Sequence, residues 1–390
     1  MNHDLPAFHP RRLTETRLAC GLTMAGVAAQ ANLSPQAVSA YENGTRKPTA
    51  EALSLLSGVL GTSIAYFKEE RPFPVRADSA VFFRSTASAR TRRNQEMRKQ
   101  QATWAYEISS WLDQHVALPE FSAAKFWGED TADGVLSPAE QTEDSIEEAA
   151  MKLRMAWEMG SGPIPDLVAL LESHGIRVIR QASGSAKLDA FSRIVNAQPM
   201  IFLSSDKDAG PRSRFDAAHE LGHLLLHSHL TSDEVSDPQT LKRIENEANY
   251  FAGAFLMPES SFSREIHGVT LGAFLAMKPR WKLSAQAIIR RCLSLGAIDQ
   301  IQYERLCVDI SARGMRRNEP YDDQIPSETP TVLRRAWELL VKHGVVSRHG
   351  IVEALQLPPS VIAATLGVPA DTFETDNVIN LEFRVHSADH

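Results

Sequence analysis

The sequence predicts an α+β chain that is mostly helical, with a helical bundle at the N-terminus, a small sheet near the middle and a helical region at the C-terminus. Apolar residues recur at helical spacing over most of the chain, and residues 8–67 contain several short capped helices. Three stretches between residues 176 and 203 alternate like strands. We expect four segments along the chain: residues 1–70, 71–144, 145–312 and 313–390.

Composition is ordinary for a globular protein, since 43% of the 390 residues are hydrophobic and 23% are charged. The net charge of -7 is modest, so a DNA-binding face would have to be local. The three cysteines Cys20, Cys292 and Cys307 have no paired spacing, which fits a reducing compartment. Residues 1–10 lack the apolar segment of a signal peptide, and no run has the length of a membrane span. We therefore expect a cytoplasmic protein with no membrane partner.

The N-terminal unit has the caps and turns of short helices. Thr23 can cap a second helix, and Asn32 suits a left-handed backbone in the turn that follows. Ser34 can cap a third helix with Pro35 at its first position, and another helix follows from Ala50 to Leu60. This spacing predicts a helix-turn-helix.

The unit resembles the Xre/Cro-type repressors, and the resemblance rests on the Ser34–Tyr41 helix and the Tyr41–Thr49 phrase after it. It implies that this helix lies in the major groove of a double-stranded DNA operator and that the chain binds as a homodimer on two half-sites. The residues implied to contact DNA are Gln36, Ala37, Ser39 and Ala40 at base edges, and Asn43, Thr45, Arg46 and Lys47 near phosphates. The chain departs from the family at Met24, where a glutamine is common. The alternative is a bundle used only for dimerisation or for holding a protein partner.

Residues 71–144 are expected to form a connector. Pro72 and Pro74 interrupt it, a β-like piece spans Ala80 to Phe83, and an amphipathic helix spans Trp104 to Val116. A basic run either extends the DNA contacts or is the solvated start of a helix; it consists of Arg84, Arg90, Arg92, Arg93, Arg98 and Lys99. Residues 130–148 are polar and acidic, and we expect a loop there.

The central segment alternates between helical and strand patterns. Helices are expected from Ile146 to Met159 and from Asp166 to His174. Strands are expected at Ile176–Arg180, Ala190–Val195 and Met200–Leu203. A small sheet is therefore expected before the apolar helix that follows.

That apolar helix contains a His-Glu-x-x-His motif, His219-Glu220-Leu221-Gly222-His223. Residues four apart lie on one face of a helix, so His219 and His223 can bind one metal ion. Glu220 is placed to act as a general base on a water beside that ion. Two imidazoles with a neighbouring carboxylate are typical of a zinc hydrolase.

A third ligand is expected from the next long helix. Glu245 and Asn249 are four residues apart there and share a face, so we predict that Glu245 binds the metal and that Asn249 orients the ligands. Glu247 is the other candidate for this ligand, or it faces solvent. The alternative is that the histidines are core residues and that both glutamates are solvated.

Residues 145–300 resemble the ImmA/IrrE family of metallopeptidases. The resemblance rests on Leu153-Arg154, Gly162-Pro163-Ile164, Arg214-Phe215, Ala218 to His223, Glu245 to Ala252, Leu256-Met257-Pro258 and the segment 281–298. It implies a gluzincin-like site in which His219, His223 and Glu245 bind Zn²⁺ and Glu220 is the general base and acid. It also implies a protein substrate, a helix-turn-helix repressor or an antitoxin.

Further residues near the predicted metal site are candidates for a role in it. His227, one turn beyond His223, is expected to orient the ligands, and His229 and Tyr250 are further candidates for stabilising an oxyanion. Cys292 or Cys307 is either a latch on the zinc or an ordinary core residue. The chain is either a zinc endopeptidase fused to its DNA reader, a regulator with a non-catalytic sensor or dimerisation domain, or part of a toxin–antitoxin or phage-defence pair.

Residues 313–390 match no pattern with a function. We expect a polar linker from Glu319 to Pro330, a helix from Val332 to Lys342, a second helix from Pro358 and a strand from Val378 to Val385. The role of this segment is not predicted.

Overall fold

The computed structural model describes residues 8–70, 73, 81–82, 89–127, 141–182, 190–206 and 209–373. The N-terminal unit is formed by the helices α1 Pro10–Ala19, α2 Met24–Gln30, α3 Pro35–Glu42 and α4 Ala50–Leu60. The predicted caps form, because Thr23 accepts from the Gly26 N–H and Ser34 from the Ala37 N–H. Asn32 has a left-handed φ of 52° in the turn between α2 and α3. The helix-turn-helix geometry is therefore present.

The connector contains the strand β1 Val81–Phe82 and the helices α5 Ala89–Asp113 and α6 Ala123–Trp127. The predicted start of the long helix at Trp104 is wrong, because α5 already includes the run of Arg, Gln, Glu, Met and Lys before it, all good helix formers. Neither alternative for the basic run, DNA contact or solvation, holds at Arg98, which is 3% exposed and lies over the Phe191 ring. Arg84 and residues 128–140, most of the predicted loop, lie outside the described residues.

The middle of the chain forms a four-stranded sheet. After the helices α7 Glu143–Ala156 and α8 Leu167–Ser173 come the strands β2 Arg177–Gln181, β3 Ala190–Val195 and β4 Gln198–Ser204. The helix α7 begins inside the predicted loop at 130–148, because Thr142 and Ser145 form a capping box. The strand order is β1-β3-β4-β2. The strand β4 pairs parallel to β2 and antiparallel to β3, and β1 pairs antiparallel to β3.

Both faces of the sheet are covered, and its side chains alternate between two cores. On β4, Met200 and Phe202 belong to one core, and Ile201 and Leu203 belong to the other. This period of two follows from the strand geometry. The first core joins the sheet to α1–α5, and the second joins it to α7, α8 and the helices that follow the sheet.

The helices after the sheet are α9 Gly210–Leu226, α10 Ser232–Ser236, α11 Pro238–Leu256, α12 Glu259–Phe262, α13 Leu271–Trp281, α14 Ala285–Ser294 and α15 Gln300–Ala312. The helix α9 packs on β3 and β4, and α11 packs across α9 on its other side. Burial on both sides explains why the run from Ala217 to Leu226 is apolar except for His219, Glu220 and His223. The predicted fold class, mostly helical α+β, is confirmed.

The C-terminal segment contains α16 Val332–Lys342, α17 Gly350–Leu355 and α18 Pro359–Leu366, which belong to the same core as the N-terminal unit. The predicted polar linker before them is packed against the rest of the chain at Glu319 and Ile325, which are 8% and 5% exposed. Glu319 accepts from the fully buried Lys278 Nζ at 2.6 Å. The strand predicted at 378–385 lies outside the described residues.

One carboxylate in this segment ties three elements together. Glu328 accepts from the Leu167 and Val168 N–H groups in the first turn of α8 at 3.0 and 3.1 Å, and it forms an ion pair with Arg214 of α9. A negative charge at a helix N-terminus is favourable. The C-terminal segment therefore helps to fix the start of α9, the helix that carries the metal-binding motif.

None of the described helices combines the length and the apolar character that crossing a membrane would require.

The crossing of α9 and α11 depends on a glycine. A Cβ at Gly222 would lie 2.9 Å from Phe251 Cδ1 and 3.3 Å from Ala248 Cα, so any side chain there would push α11 away. Phe251 is fully buried and cannot move out of the way. The glycine between the two motif histidines therefore sets the distance from α9 to Glu245.

We expect Gly222→Ala to lower the free energy of unfolding by about 1–3 kcal/mol, as overpacking does, and to lower the zinc content of the purified protein. The matched control is Gly253→Ala on α11, where a Cβ would lie at an ordinary 3.6 Å from Arg291 Cδ. Denaturant unfolding and metal analysis measure both effects. Equal zinc content in the two variants would contradict the role given to the glycine.

Candidate metal centre and nucleic-acid interface

Two helices bring the three predicted ligands together. His219 Nε2 and His223 Nε2 on α9 lie 3.0 Å apart. Glu245 on α11 places Oε2 3.5 Å from His219 Nε2 and Oε1 3.4 Å from His223 Nε2. Both histidines are buried and Glu245 is half-buried, so the three ligand groups are largely shielded from bulk water.

Hydrogen bonds on the far side of each imidazole fix its tautomer. His219 Nδ1 lies 3.0 Å from Asn249 Oδ1. Since an amide oxygen only accepts, His219 Nδ1 carries the proton and Nε2 presents a lone pair towards the cluster. Asn249 thus lies where the sequence analysis expected it, on the same face of α11 as Glu245.

His223 is oriented through a longer chain of contacts. Its Nδ1 lies 3.0 Å from His227 Nδ1, and His227 Nε2 lies 2.8 Å from Glu247 Oε2. Because a carboxylate only accepts, His227 donates to Glu247 from Nε2 and accepts from His223 at Nδ1. His223 Nε2 therefore also presents a lone pair towards the cluster. His227 lies behind His223, away from the ligand atoms, which excludes it as an oxyanion donor.

The expectation that Glu247 faces solvent is wrong. Glu247 is 6% exposed and holds both His227 and Arg243, whose Nη1 lies 2.9 Å from Oε1. A carboxylate two residues after Glu245 points to a different side of α11 and reaches the last turn of α9 instead. Arg243 provides a partner that makes this burial of charge tolerable.

The three ligands fit a zinc ion. Two donors on one tetrahedral zinc lie about 3.3 Å apart, and the observed separations of 3.0 to 3.5 Å bracket that distance. Two imidazole lone pairs that face each other at 3.0 Å repel unless a cation lies between them. Burial lowers the pKa of His223 to about 3, so this imidazole is neutral and able to act as a ligand at pH 7. Two nitrogens and one carboxylate leave a fourth position open, as in catalytic zinc sites.

Glu220 is held beside the cluster by a residue that the sequence analysis did not select. Ser192 Oγ on β3 donates to Glu220 Oε2 at 2.6 Å, and both side chains are buried. Burial raises the pKa of Glu220 to about 7, against the lowering effects of His219 and of the Ser192 hydrogen bond. A carboxylate that titrates near neutrality suits general acid–base work.

Strand alternation was the signal that could have identified Ser192. Phe191 and Val195 belong to the core on the α5 side of the sheet, so Ser192 lies on the opposite face. That face packs against α9. A fully buried hydroxyl on a strand next to the motif helix needs a polar partner, and Glu220 is that partner.

The remaining candidates lie outside the ligand cluster. Among the described residues the cluster consists of His219, His223 and Glu245 and includes neither Cys292 nor Cys307. Burial raises the pKa of Cys292 to about 12, which disfavours the thiolate that zinc binds. The latch by Cys292 is therefore not supported.

The residues predicted to contact DNA lie on α3 and in the loop that follows it. Those exposed at the start of α3 and in the loop after it are Gln36, Asn43, Thr45, Arg46 and Lys47. Ala37, Ser39 and Ala40 are half-buried, and Ala37 also packs against the core of the unit. Local contacts shape the loop, since Thr45 Oγ1 donates to the Ala40 carbonyl and the Arg46 guanidinium lies over the Tyr41 ring. Whether these side chains contact DNA stays a prediction.

Comparisons with known families match both parts of the chain. Residues 13–67 match the model of a helix-turn-helix family, and residues 171–293 match the model described as the IrrE N-terminal-like domain, a peptidase family. The matches confirm both resemblances and support a DNA-binding unit joined to a metallopeptidase-type domain. No curated protein matches the chain.

We expect His227→Ala to weaken zinc binding about 10–100-fold, because it removes the group that orients His223. The matched control is His229→Ala, a half-buried histidine two residues further along that is not part of the ligand cluster. Competition with a chromophoric chelator gives the two affinities. Equal affinities would show that the contact between His223 and His227 does not orient the ligand.

Proposed function

We propose that this fusion of an Xre-type helix-turn-helix domain with an IrrE N-terminal-like domain is a DNA-binding transcription regulator and a zinc-dependent endopeptidase. The proposed substrate is a repressor, an antitoxin or another partner protein in a stress, mobile-element, phage-defence or toxin–antitoxin circuit. Because its proposed partners are chromosomal DNA and regulatory proteins, we place its action in the cytoplasm. The proposed domain division is a DNA-binding unit at residues 1–70, a connector at 71–144, a metallopeptidase domain at 145–312 and a C-terminal region at 313–390.

The convergence of His219, His223 and Glu245 beside Glu220 is the observation that carries the enzyme half. A bound zinc ion would supply Lewis acidity to a water and to the carbonyl of a peptide bond. Glu220 accepts the proton of the attacking water and then gives it to the leaving nitrogen. Ser192 keeps the carboxylate aimed at the site, while Asn249 and the pair His227 and Glu247 hold the two imidazoles.

A non-catalytic sensor or dimerisation platform is the alternative. A purely structural zinc site needs ligands but no buried carboxylate held beside them. Glu220 is 4% exposed, and burying a carboxylate is unfavourable. A structural zinc site gives no reason to keep such a group. The buried Glu220 with its Ser192 contact therefore favours the enzyme.

We expect Glu220→Gln to keep one zinc per chain and to lower cleavage about 10²–10⁴-fold, because the amide cannot accept the proton. The substrates to use are the helix-turn-helix proteins encoded by neighbouring genes, incubated with the full chain and analysed by mass spectrometry. The control is Glu259→Gln, an exposed glutamate at the start of α12.

Two outcomes would decide against the enzyme. Full cleavage by Glu220→Gln with zinc bound would exclude the general-base role. Zinc binding by the native chain with no cleavage of any neighbouring regulator, at a protein concentration that saturates its DNA, would favour the sensor.

The DNA-binding half rests on the exposed start of α3 and the basic loop after it. In the proposed complex Gln36 contacts a base edge, and Arg46 and Lys47 contact phosphates. Ala37, Ser39 and Ala40 also face base edges in this complex. Asn43 and Thr45 lie near phosphates, and their hydrogen bonds to Ser39 and the Ala40 carbonyl shape the loop. The proposed assembly is a homodimer on two half-sites.

We expect Lys47→Ala in the full chain to reduce the salt dependence of DNA binding by about one phosphate contact per protomer, whatever the DNA sequence. Gln36→Ala should instead weaken binding to the specific site by about 1–3 kcal/mol and leave non-specific binding unchanged. The probes are the promoter of the protein's own gene and a scrambled fragment of equal length. Lys152→Ala, exposed on α7, is the control, and a salt slope equal to that of the control would remove Lys47 from the interface.

A further inference from the structure

The outer edge of β3 carries a strand from the connector. Val81 of β1 pairs with Arg193, and Phe82 pairs with Ser192, in antiparallel register. The sheet order β1-β3-β4-β2 makes β1 the edge strand on this side. Without β1, the backbone groups along this edge of β3 would be open to another extended chain.

This edge lies next to the candidate catalytic base. Ser192, the partner of Phe82 in the register, donates to Glu220 Oε2 at 2.6 Å. Neighbouring strands are about 4.8 Å apart, so a chain paired to β3 runs one strand spacing from the residue that holds Glu220. Extended peptides commonly bind proteins by adding a strand to a sheet edge.

We propose that β1 is an internal occupant of the peptide-binding edge of β3, and that a protein substrate must displace it to reach Glu220. The proposal rests on the proposed function, since it assigns a regulated binding edge to that same site. It also assigns a role to the part of the connector that precedes α5.

Contacts fix the chain both before and after β1, which keeps this strand close to the edge of β3. Before β1, Arg12 of α1 donates to the Glu69 and Glu70 carbonyls at 3.3 and 3.1 Å. After β1, Arg193 of β3 donates to the Lys99 carbonyl of α5 at 2.8 Å. A short tether gives a high effective concentration, so β1 competes well despite its weak pairing.

The pairing itself is short. The strand β1 contains two residues, whereas β3 and β4 pair over six. A longer substrate strand can form more backbone hydrogen bonds with the same edge and so replace β1. The DNA-binding unit fixes the chain before β1 through Arg12. A rearrangement of that unit therefore changes how well β1 competes with a substrate strand for the edge of β3.

The test uses the full chain in a Glu220→Gln background, so that no probe is cut. The probe is a fluorescent synthetic peptide with the sequence of residues 77–87 of this chain, and anisotropy measures its binding. In the variant Val81→Pro/Phe82→Pro, two N–H groups of β1 are lost and the pairing is broken. We expect the variant with both prolines to bind the peptide at least about tenfold more tightly than the Glu220→Gln chain with an unsubstituted β1.

Hydrogen exchange gives an independent readout. Amides in residues 190–195 should exchange faster in the double proline variant and slow again when the peptide is added. The control Val81→Ala/Phe82→Ala keeps both N–H groups of β1, so it should leave peptide binding and exchange close to those of the unsubstituted chain. If the double substitution also speeds exchange in α9, the single variant Phe82→Pro replaces it in both measurements.

Equal peptide binding with and without the proline substitutions, or unchanged exchange in residues 190–195, overturns the proposal. Failure of the proposed function has a different signature. If the chain with Glu220 restored cleaves no partner protein while both binding results hold, the edge is a peptide site without a protease.

Discussion

The close crossing of α9 and α11 at Gly222 is the constraint on which the candidate site depends. The motif helix can present two imidazoles by itself, but the third ligand comes from another helix. Glu245 reaches them only because the helices meet where one has no side chain. The same approach lets Asn249 reach His219 and lets Glu247 reach His227. One short interhelical distance thus serves both the ligands and the groups that orient them.

The strand β3 links the metal centre to the DNA-binding unit through the alternation of its side chains. Ser192 contacts Glu220 on one face of the sheet, and its neighbour Arg193 contacts the Lys99 carbonyl and Thr103 of α5 on the other. The helix α5 also packs against α1, and its Trp104 donates to the hydroxyl of Tyr66, which follows α4. Adjacent residues of β3 therefore contact the candidate catalytic glutamate and the helix that packs against the DNA-binding unit.

Local signals in the sequence predicted much of this arrangement. Caps, turns and helical spacing placed α1–α4, and the His-Glu-x-x-His motif with a glutamate at the right helical spacing predicted the residues that meet in the cluster. The contacts that the sequence did not predict join residues that are far apart along the chain. The partners of Ser192 and Glu247 lie 28 and 20 residues away along the chain, and no periodicity specifies such pairs. The polar residues before α16 predicted a linker but not its contact with Lys278, which is remote in sequence.

The core shared by the first and last described helices has a consequence for how the molecule is built. The helices α16–α18 pack against α5 and thereby belong to the same apolar core as the N-terminal unit, and Ser63 donates to the Gln356 side chain. The first and last described helices therefore share one core, and we expect them to unfold as one cooperative unit. This core cannot be complete until the chain has been synthesised as far as α18 and that helix has left the ribosome, long after α1–α4 have emerged.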